Sequence, residues 1–420
     1  MAIKALRGMN DIFSPEIHVW QLVEDHARKL FALYGYEEVR TPVLEELNLF
    51  VRSIGETTSI VEKEMYSFVD RKGKALALRP EGTASIVRAY IQNERAQSDP
   101  VARYYNIGPM YRYERPQQGR YRQFHQIGAE VFGIANPRID AEMIHMVDQF
   151  FQGLGIDDLE IELNSLGCPI CRPGFTKKFS EYLDSHQSSL CEDCHRRTQK
   201  NPLRALDCKQ ETCMTLMKEA PSIQDDLCDE CEGHFDTVLT HLGHLGSSFS
   251  VNHKIVRGLD YYLRTTFEFT TSQLGTQNAV AGGGRYDGLV RLLGGPNVPG
   301  IGFAVGMERL IELILLKQKI TPSVLAPTVY GIAMGDAAHE LMIQVAQSLR
   351  RSHIFVEIDY EGQSLKAMMR RADRRQTPWV VIMGDEEVNK GIFILRNMGT
   401  KEQKEIPMGE VRELPQRIKT

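Results

Sequence analysis

The sequence predicts a mixed α/β (α+β) chain in three parts, and three observations predict it. Helical and strand-like patterns mix as far as Asn164. All eight cysteines then crowd between Cys168 and Cys231, after which strand-like, aromatic-rich sequence resumes at "SFSVNHKIVRGLDYYLRTTFEFTT". Beyond a Pro-containing linker, short apolar runs alternate with helical ones, as in a small α/β unit. The main domain is therefore expected to be discontinuous, at 1–165 and 245–318, with a Cys-rich insertion at 166–244, a linker at 319–328 and the α/β unit at 329–420. A chain of 420 residues, 42% apolar, has the material for two or three cores.

Ser14-Pro15-Glu16 reads as a helix start, with Ser as cap, Pro at the first helical position and an acid at the positive end. Ile17, Trp20, Val23, Ala27, Leu30 and Tyr34 follow at helical spacing and predict about five turns, ending before Gly35. "YEEVRTPVLEE" reads as a strand whose Pro42 suits an edge or interface. Tyr104–Glu114 and Arg122–Phe132 alternate with period two, and the segment between them, with Pro116 and Gly119, makes a long hairpin loop. One face of the second strand carries Arg122, Phe124, Gln126, Gly128 and Glu130; the other carries Gln123, His125, Ile127, Ala129 and Val131. Charged strands are usually plain solvated surface. Gly128 between Gln126 and Glu130 argues instead for a ligand face, because it clears room above the sheet.

"AGGGRYDGL" and "PGIGFAVGMERL" are also rich in Gly, but neither is a P-loop or a dinucleotide fingerprint. The second reads as a strand entering a helix, with Arg309 in the first turn, where an Arg and a helix end can face one anion. In the last part "VYGIAM", "FVEI", "WVVIMG" and "IFILR" are strand candidates. "SLKAMMRRADRRQ" sets Lys366, Arg370 and Arg374 on one helix face, opposite Leu365, Met368 and Ala372.

Net charge is −5, so any nucleic acid must be met by local basic patches rather than a chain-wide field. The opening residues lack the apolar core of a signal peptide, and no apolar run approaches the about 20 residues of a membrane span. A cytoplasmic protein with no membrane or DNA partner is expected. In that setting the CxxC pairs read as metal ligands or redox thiols before disulfides. Cys168, Cys171, Cys191 and Cys194 fit C-x2-C-x19-C-x2-C, and Cys208, Cys213, Cys228 and Cys231 form a looser second set. Four thiolates make the closed shell of a structural Zn²⁺. Pairing between the sets stays open at this level.

"GYEEVRTPVLEE", "YRYERPQQGRYRQFHQIGAE" and "GIGFAVGMERL" resemble motifs 1, 2 and 3 of the class II aminoacyl-tRNA synthetases, and "LRPEGT", "RGLDYY" and "AGGGRYDGL" resemble the histidine-specific segments of the bacterial histidyl-tRNA synthetase family. The likeness runs along essentially the whole chain in family order; the eight thiols are the departure from it. It implies the class II antiparallel-sheet catalytic core, an anticodon-binding C-terminal domain, and a homodimer built around motif 1. It also implies ATP with Mg²⁺, L-histidine and tRNA(His) as substrates and partners.

By the same resemblance Glu81, Gly82 and Thr83 receive the histidine ammonium, Glu130 and Tyr262 the imidazole beside Tyr261, and Gln126 and Arg257 the carboxylate. Arg112, Arg120 and Arg309 take the ATP phosphates and Phe124 the adenine. Arg257 and Arg112 are the expected catalytic residues, and Gln117, Lys366, Arg370 and Arg374 face tRNA. The nearest rival is a histidine-binding regulatory paralogue of a phosphoribosyltransferase, which should lack part of the ATP apparatus and the C-terminal domain. A zinc-dependent nucleic-acid-binding module would leave "LRPEGT" and "RGLDYY" without purpose.

Overall fold

The computed structural model describes residues 3–56, 58–208, 210–275, 278–317, 326–361 and 364–418, in two compact units, Met1–Pro322 and Ser323–Thr420. In the first unit, α1 (Glu16–Leu33) buries Val19, Trp20, Val23, Ala27 and Phe31, while Ile17, Leu30 and Tyr34 lean on the same core. The expected stripe is there, but the expected cap is not. Pro15 takes the cap position, no side chain caps the helix, and Ser14, one position too early, turns its hydroxyl to His18 Nε2 at 3.2 Å.

The main sheet is built from β1 (Glu37–Glu38), β2 (Arg103–Tyr111), β3 (Gln123–Phe132), β4 (Glu160–Ser165), β5 (Phe249–Val251), β6 (Leu263–Thr270), β7 (Ala279–Arg285) and β8 (Gly300–Gly306). Among the described residues their order is β1-β2-β3-β8-β7-β6-β4-β5. The edge pairs β1/β2 and β4/β5 are parallel and the inner ladders antiparallel. The strand expected over "YEEVRTPVLEE" is broken. Its first part is β1, and its second, Leu44–Glu46, joins a separate three-stranded sheet with Ala75–Leu78 and Ser67–Val69. Pro42 lies in the break, as a residue without an N–H to give a ladder should.

Alternation sorts the main sheet into two faces. Ile127, Ala129 and Val131 of β3, Phe267 and Phe269 of β6, and Ile301 and Val305 of β8 enter one core with α1, α3 (Arg138–Gly153) and α6 (Met307–Leu316). The opposite face is left for the cleft, with α2 (Thr83–Gln92) at its side. The chain departs after β4 and returns at β5, passing through α4 (Arg172–Ser185) and α5 (Asp229–Leu245). Phe175, Phe179, Leu183 and Ile223 form a separate small core there, while Phe235, Val238 and Leu242 of α5 belong to the main one. A buried ion group fastens α5 to the sheet: Asp140 of α3 accepts from Arg285 at 2.6 and 3.0 Å and meets His234 at 2.9 Å. Both Arg285 and Asp140 are fully buried, which only a paired, hydrogen-bonded charge tolerates.

The second unit has β9 (Val329–Ala333), β10 (Val356–Asp359), β11 (Trp379–Met383), β12 (Ile392–Asn397) and β13 (Gln403–Pro407), ordered β10-β9-β11-β12-β13, with α7 (Asp336–Arg351) and α8 (Leu365–Arg374). All four expected apolar runs are strands. The fifth, β13, escaped notice because Ile406 alone in it is buried. On α8, Met368 and Ala372 are buried and Lys366, Arg370 and Arg374 exposed; Leu365, expected inside, is 38% exposed because it precedes the turn that packs inward. No helix among the described residues is long and apolar enough to cross a membrane.

Candidate active site

A cleft of about 290 Å³ lies on the free face of the main sheet. Phe124, Gln126, Gly128 and Glu130, the alternate residues of β3, line it as expected. Arg122 does not: it lies before the strand, and its guanidinium covers the Tyr113 ring at 4.1 Å.

At the inner end Glu130 is 2% exposed. Thr83 donates its hydroxyl to Glu130 Oε1 at 2.6 Å, and the Tyr286 hydroxyl donates to Oε2. Burial pushes the Glu130 carboxyl up to about 8, partly offset by these two donors. Gly302, opposite it on β8, has no room for a side chain, since a Cβ there would stand 1.6 Å from Glu130 Oε2. Glu81 lies alongside and caps α2, accepting from the amides of Thr83 at 2.7 Å and Ala84 at 2.8 Å. Burial raises Glu81 too, against the pull of those amides. Gly82 precedes the helix and lines the cleft. Tyr261 and Tyr262 form a wall with ring centroids 4.6 Å apart, and Arg257 reaches across Tyr262 at 5.4 Å to pair with Glu268.

Arginines gather at the outer end. Arg112 donates to the Pro80 carbonyl at 3.0 Å and lies 5.1 Å over the Phe124 ring. Arg120 pairs with Glu114. Arg309, in the first turn of α6, donates to the carbonyls of Gly119 at 3.0 Å and Ala279 at 2.6 Å. Burial and the neighbouring Arg120 and Arg112 lower its pKa, against the pull of Glu114. Gln117 is exposed at the hairpin tip, where it forms a backbone bridge with Arg120. Lys366, Arg370 and Arg374 are on the second unit.

The sequence reading missed Glu268 and Asn106, which line the cleft, and Tyr286, which reaches the site through its bond to Glu130. For Glu268 a signal existed, since it alternates with the core residues Phe267 and Phe269. The Asn106 Nδ2 is buried with no hydrogen-bond partner among the described residues.

All eight cysteines are free and form two groups of four, each with its sulfurs within 4.8 Å of one another. The grouping corrects the expected one: Cys168 and Cys171 meet Cys228 and Cys231, and Cys191 and Cys194 meet Cys208 and Cys213. Helix α4, 14 residues and so about 21 Å long, carries the chain away from Cys171, and it comes back to that pair at Cys228 and Cys231, at the start of α5.

The histidyl-tRNA synthetase family model matches residues 8–169 and 186–310. The chain belongs to the histidyl-tRNA synthetase family. An anticodon binding domain model matches residues 328–417, the unit that the rival reading expected to be missing. A histidine--tRNA ligase of Thermodesulfovibrio yellowstonii is 50% identical over 417 residues, 99% of each chain. One of Geobacter sulfurreducens is 49% identical over 406 residues, 97% of each chain. Apo S. aureus histidyl-tRNA synthetase superposes with a TM-score of 0.82 at 32% identity, covering 98% of this chain and 99% of that one. The antiparallel-rich sheet is thus the class II core of a histidyl-tRNA synthetase, followed by its anticodon-binding domain.

Proposed function

We propose that this chain is a histidine--tRNA ligase, which activates L-histidine with ATP to histidyl-adenylate and transfers the histidyl group to the 3' end of tRNA(His). The observation that carries this reading is a single cleft joining a buried carboxylate cradle, Glu130 with Thr83 and Tyr286, to a group of arginines, Arg112, Arg120 and Arg309. An imidazole suits the first end and a triphosphate the second. Arg257 is among the residues lining the same cleft.

In this reading Glu130 and Tyr262 bond the two imidazole nitrogens, with Tyr261 closing the wall. Glu81 and Thr83, beside Gly82, hold the ammonium; each Glu81 oxygen that accepts an amide keeps a second lone pair for it. Gln126 and Arg257 orient the carboxylate, Phe124 stacks on adenine, and Arg112, Arg120 and Arg309 hold the phosphates. The ionised carboxylate attacks the α-phosphate, pyrophosphate leaves, and the tRNA terminal hydroxyl then attacks the histidyl carbonyl and releases AMP. No enzyme nucleophile is required. The rate comes from alignment and from Arg257 neutralising charge at phosphorus. A site built on two imidazole hydrogen bonds rejects analogues lacking them by about 10⁴- to 10⁵-fold, so an editing domain is unnecessary.

Mg²⁺ would accompany ATP and neutralise charge on pyrophosphate; Glu114 and Glu268, oxygen donors in the cleft, suit it. Each thiol set suits a structural zinc, having four sulfurs and so no open position. Residues 1–165 and 245–318 act as the catalytic core, 166–244 as the insertion, 319–328 as the linker and 329–420 as the anticodon-binding domain. Gln117, Lys366, Arg370 and Arg374 face tRNA. The working form is a cytoplasmic homodimer about the 36–46 segment, whose two-residue β1 leaves a sheet edge to be covered. Histidine-dependent ATP–pyrophosphate exchange followed by charging of purified tRNA(His) tests the whole reading. Histidine binding without exchange would favour the regulatory paralogue instead.

A further inference from the structure

We propose that Cys168, Cys171, Cys228 and Cys231 bind one zinc ion, and that this ion holds the Tyr262 wall of the histidine pocket in place through Arg172. The second half rests on the histidine-ligase reading of the cleft; the first does not.

The sulfurs stand 3.7 Å apart for Cys168 and Cys171, 3.8 Å for Cys168 and Cys228, and 3.9 Å for Cys171 and Cys231. Zinc with sulfur at about 2.3 Å in a tetrahedron sets its ligands about 3.8 Å apart, whereas a disulfide would bring them to about 2.05 Å. Amides also converge on the sulfurs: Cys168 N–H donates to Cys171 Sγ at 3.2 Å and Ile170 N–H to Cys168 Sγ at 3.3 Å. Cys171 and Cys228 occupy the N-terminal cap positions of α4 and α5, where the helix ends favour negative charge. Gly167, at φ +65°, leaves the space that a Cβ 2.9 Å from Cys171 Sγ would fill. Thiols packed merely as small apolar groups need neither converging amides nor helix ends.

The same turn grips the pocket. Arg172, next after Cys171, donates to the Leu166 carbonyl at 2.9 Å and to the Tyr262 carbonyl at 2.6 Å. Leu166 N–H donates to the Arg264 carbonyl at 2.7 Å, and Arg264 N–H returns to the Gly167 carbonyl at 2.8 Å. Arg264 is held at φ +52°, a conformation that L-residues avoid, and its guanidinium meets Glu230, which lies between Cys228 and Cys231. Both halves of the thiol set therefore reach one short segment, Tyr262–Arg264. Arg172 and Arg264 are positioning residues, acting through the backbone of Tyr262.

The test measures zinc by elemental analysis and L-histidine affinity by calorimetry on the full-length protein, with KM for ATP alongside. Cys228→Ser should carry one zinc fewer than the parent and bind L-histidine at least tenfold more weakly, with KM for ATP within threefold. Arg172→Gln should keep its zinc and show the same histidine defect, which loss of a merely structural ion would not predict. If Cys228→Ser fails to fold, Co²⁺ exchanged into the folded parent should show the absorption bands of tetrahedral thiolate cobalt, and removing it with a chelator should weaken L-histidine binding to the same degree. A parent with less than about 0.3 zinc per chain, and no such cobalt bands, would overturn the site. Zinc present but L-histidine affinity within twofold in both variants would overturn the brace. A parent that holds zinc but binds no histidine would sink the ligase reading and the brace, while supporting the metal site.

Discussion

The Thr83 hydroxyl donates to Glu130 Oε1 at 2.6 Å, tying the first residue of α2 to β3 across 47 residues of sequence. The Tyr286 hydroxyl on the other carboxylate oxygen completes a cradle from which Glu130 cannot turn away.

Glu130→Gln should therefore damage histidine selection and little else. Above pH 8, where the Glu130 carboxyl is ionised, an imidazole N–H loses a charge-assisted acceptor worth about 1.5 to 3 kcal/mol, so kcat/KM for histidine should fall there by about 10- to 150-fold with KM for ATP nearly unchanged. Steady-state exchange kinetics with each substrate varied in turn checks this. Unaltered histidine parameters would leave Glu130 as a structural strand residue.

The same carboxyl makes stability depend on pH. With its folded value raised to about 8 from the ordinary 4.5, the folded chain keeps a proton that the unfolded chain releases, so this stabilisation is whole below about pH 4.5 and lost as pH rises through 8. Glu130→Gln has no such loss. It should be the more stable protein at pH 9, by about a few kcal/mol, and show no advantage at pH 4. Urea or thermal unfolding of both proteins in the absence of ligands across this range decides it; parallel pH profiles would reject the assignment.

Arg257→Ala removes the charge proposed to act at the reacting phosphorus and leaves Glu268 without its cation. Loss of one preorganised donor commonly costs about 10²- to 10³-fold in rate. Single-turnover formation of histidyl-adenylate should slow by that much while ATP binding weakens far less. A rate within a few-fold of the parent would move the catalytic charge elsewhere, with Arg112 the first candidate.

Neutralising Lys366, Arg370 and Arg374 together should weaken tRNA(His) binding and flatten its salt dependence, each lost phosphate contact lowering the log–log slope by about 0.7 to 0.9. All three are exposed on α8, so the fold should survive. Deleting 329–420 should go further, sparing adenylate formation while impairing tRNA charging. A slope equal to the parent's in filter-binding titrations would place the RNA surface away from this helix.

How far the sequence could be read follows from the range of the interactions involved. The stripe on α1 and the two faces of β3 were legible because a helix or strand fixes which neighbours share a side, whatever it packs against. That alternation put Phe124, Gln126 and Glu130 together in the cleft. Tyr286 was not legible as a partner of Glu130, because 156 residues separate them and only the ladders through β8 and β7 bring them close. The thiol groups failed for a related reason. Equal CxxC spacings look alike in sequence, and which pairs meet is decided by where the folded chain returns after α4. The cap at Ser14 missed by one residue, which no periodicity resolves.

The grouping of the thiols makes the 166–244 segment a nested object. Cys168 and Cys228, 60 residues apart, close an outer loop at its neck, and the set of Cys191, Cys194, Cys208 and Cys213 lies wholly inside it. Bringing the neck together in the folded chain closes one long loop, and the inner set closes a shorter one within it. Sequence beyond the neck can therefore be cut or lengthened while the two ends stay bound side by side, as β4 and β5 already are by the pairing of Ile161 with Phe249.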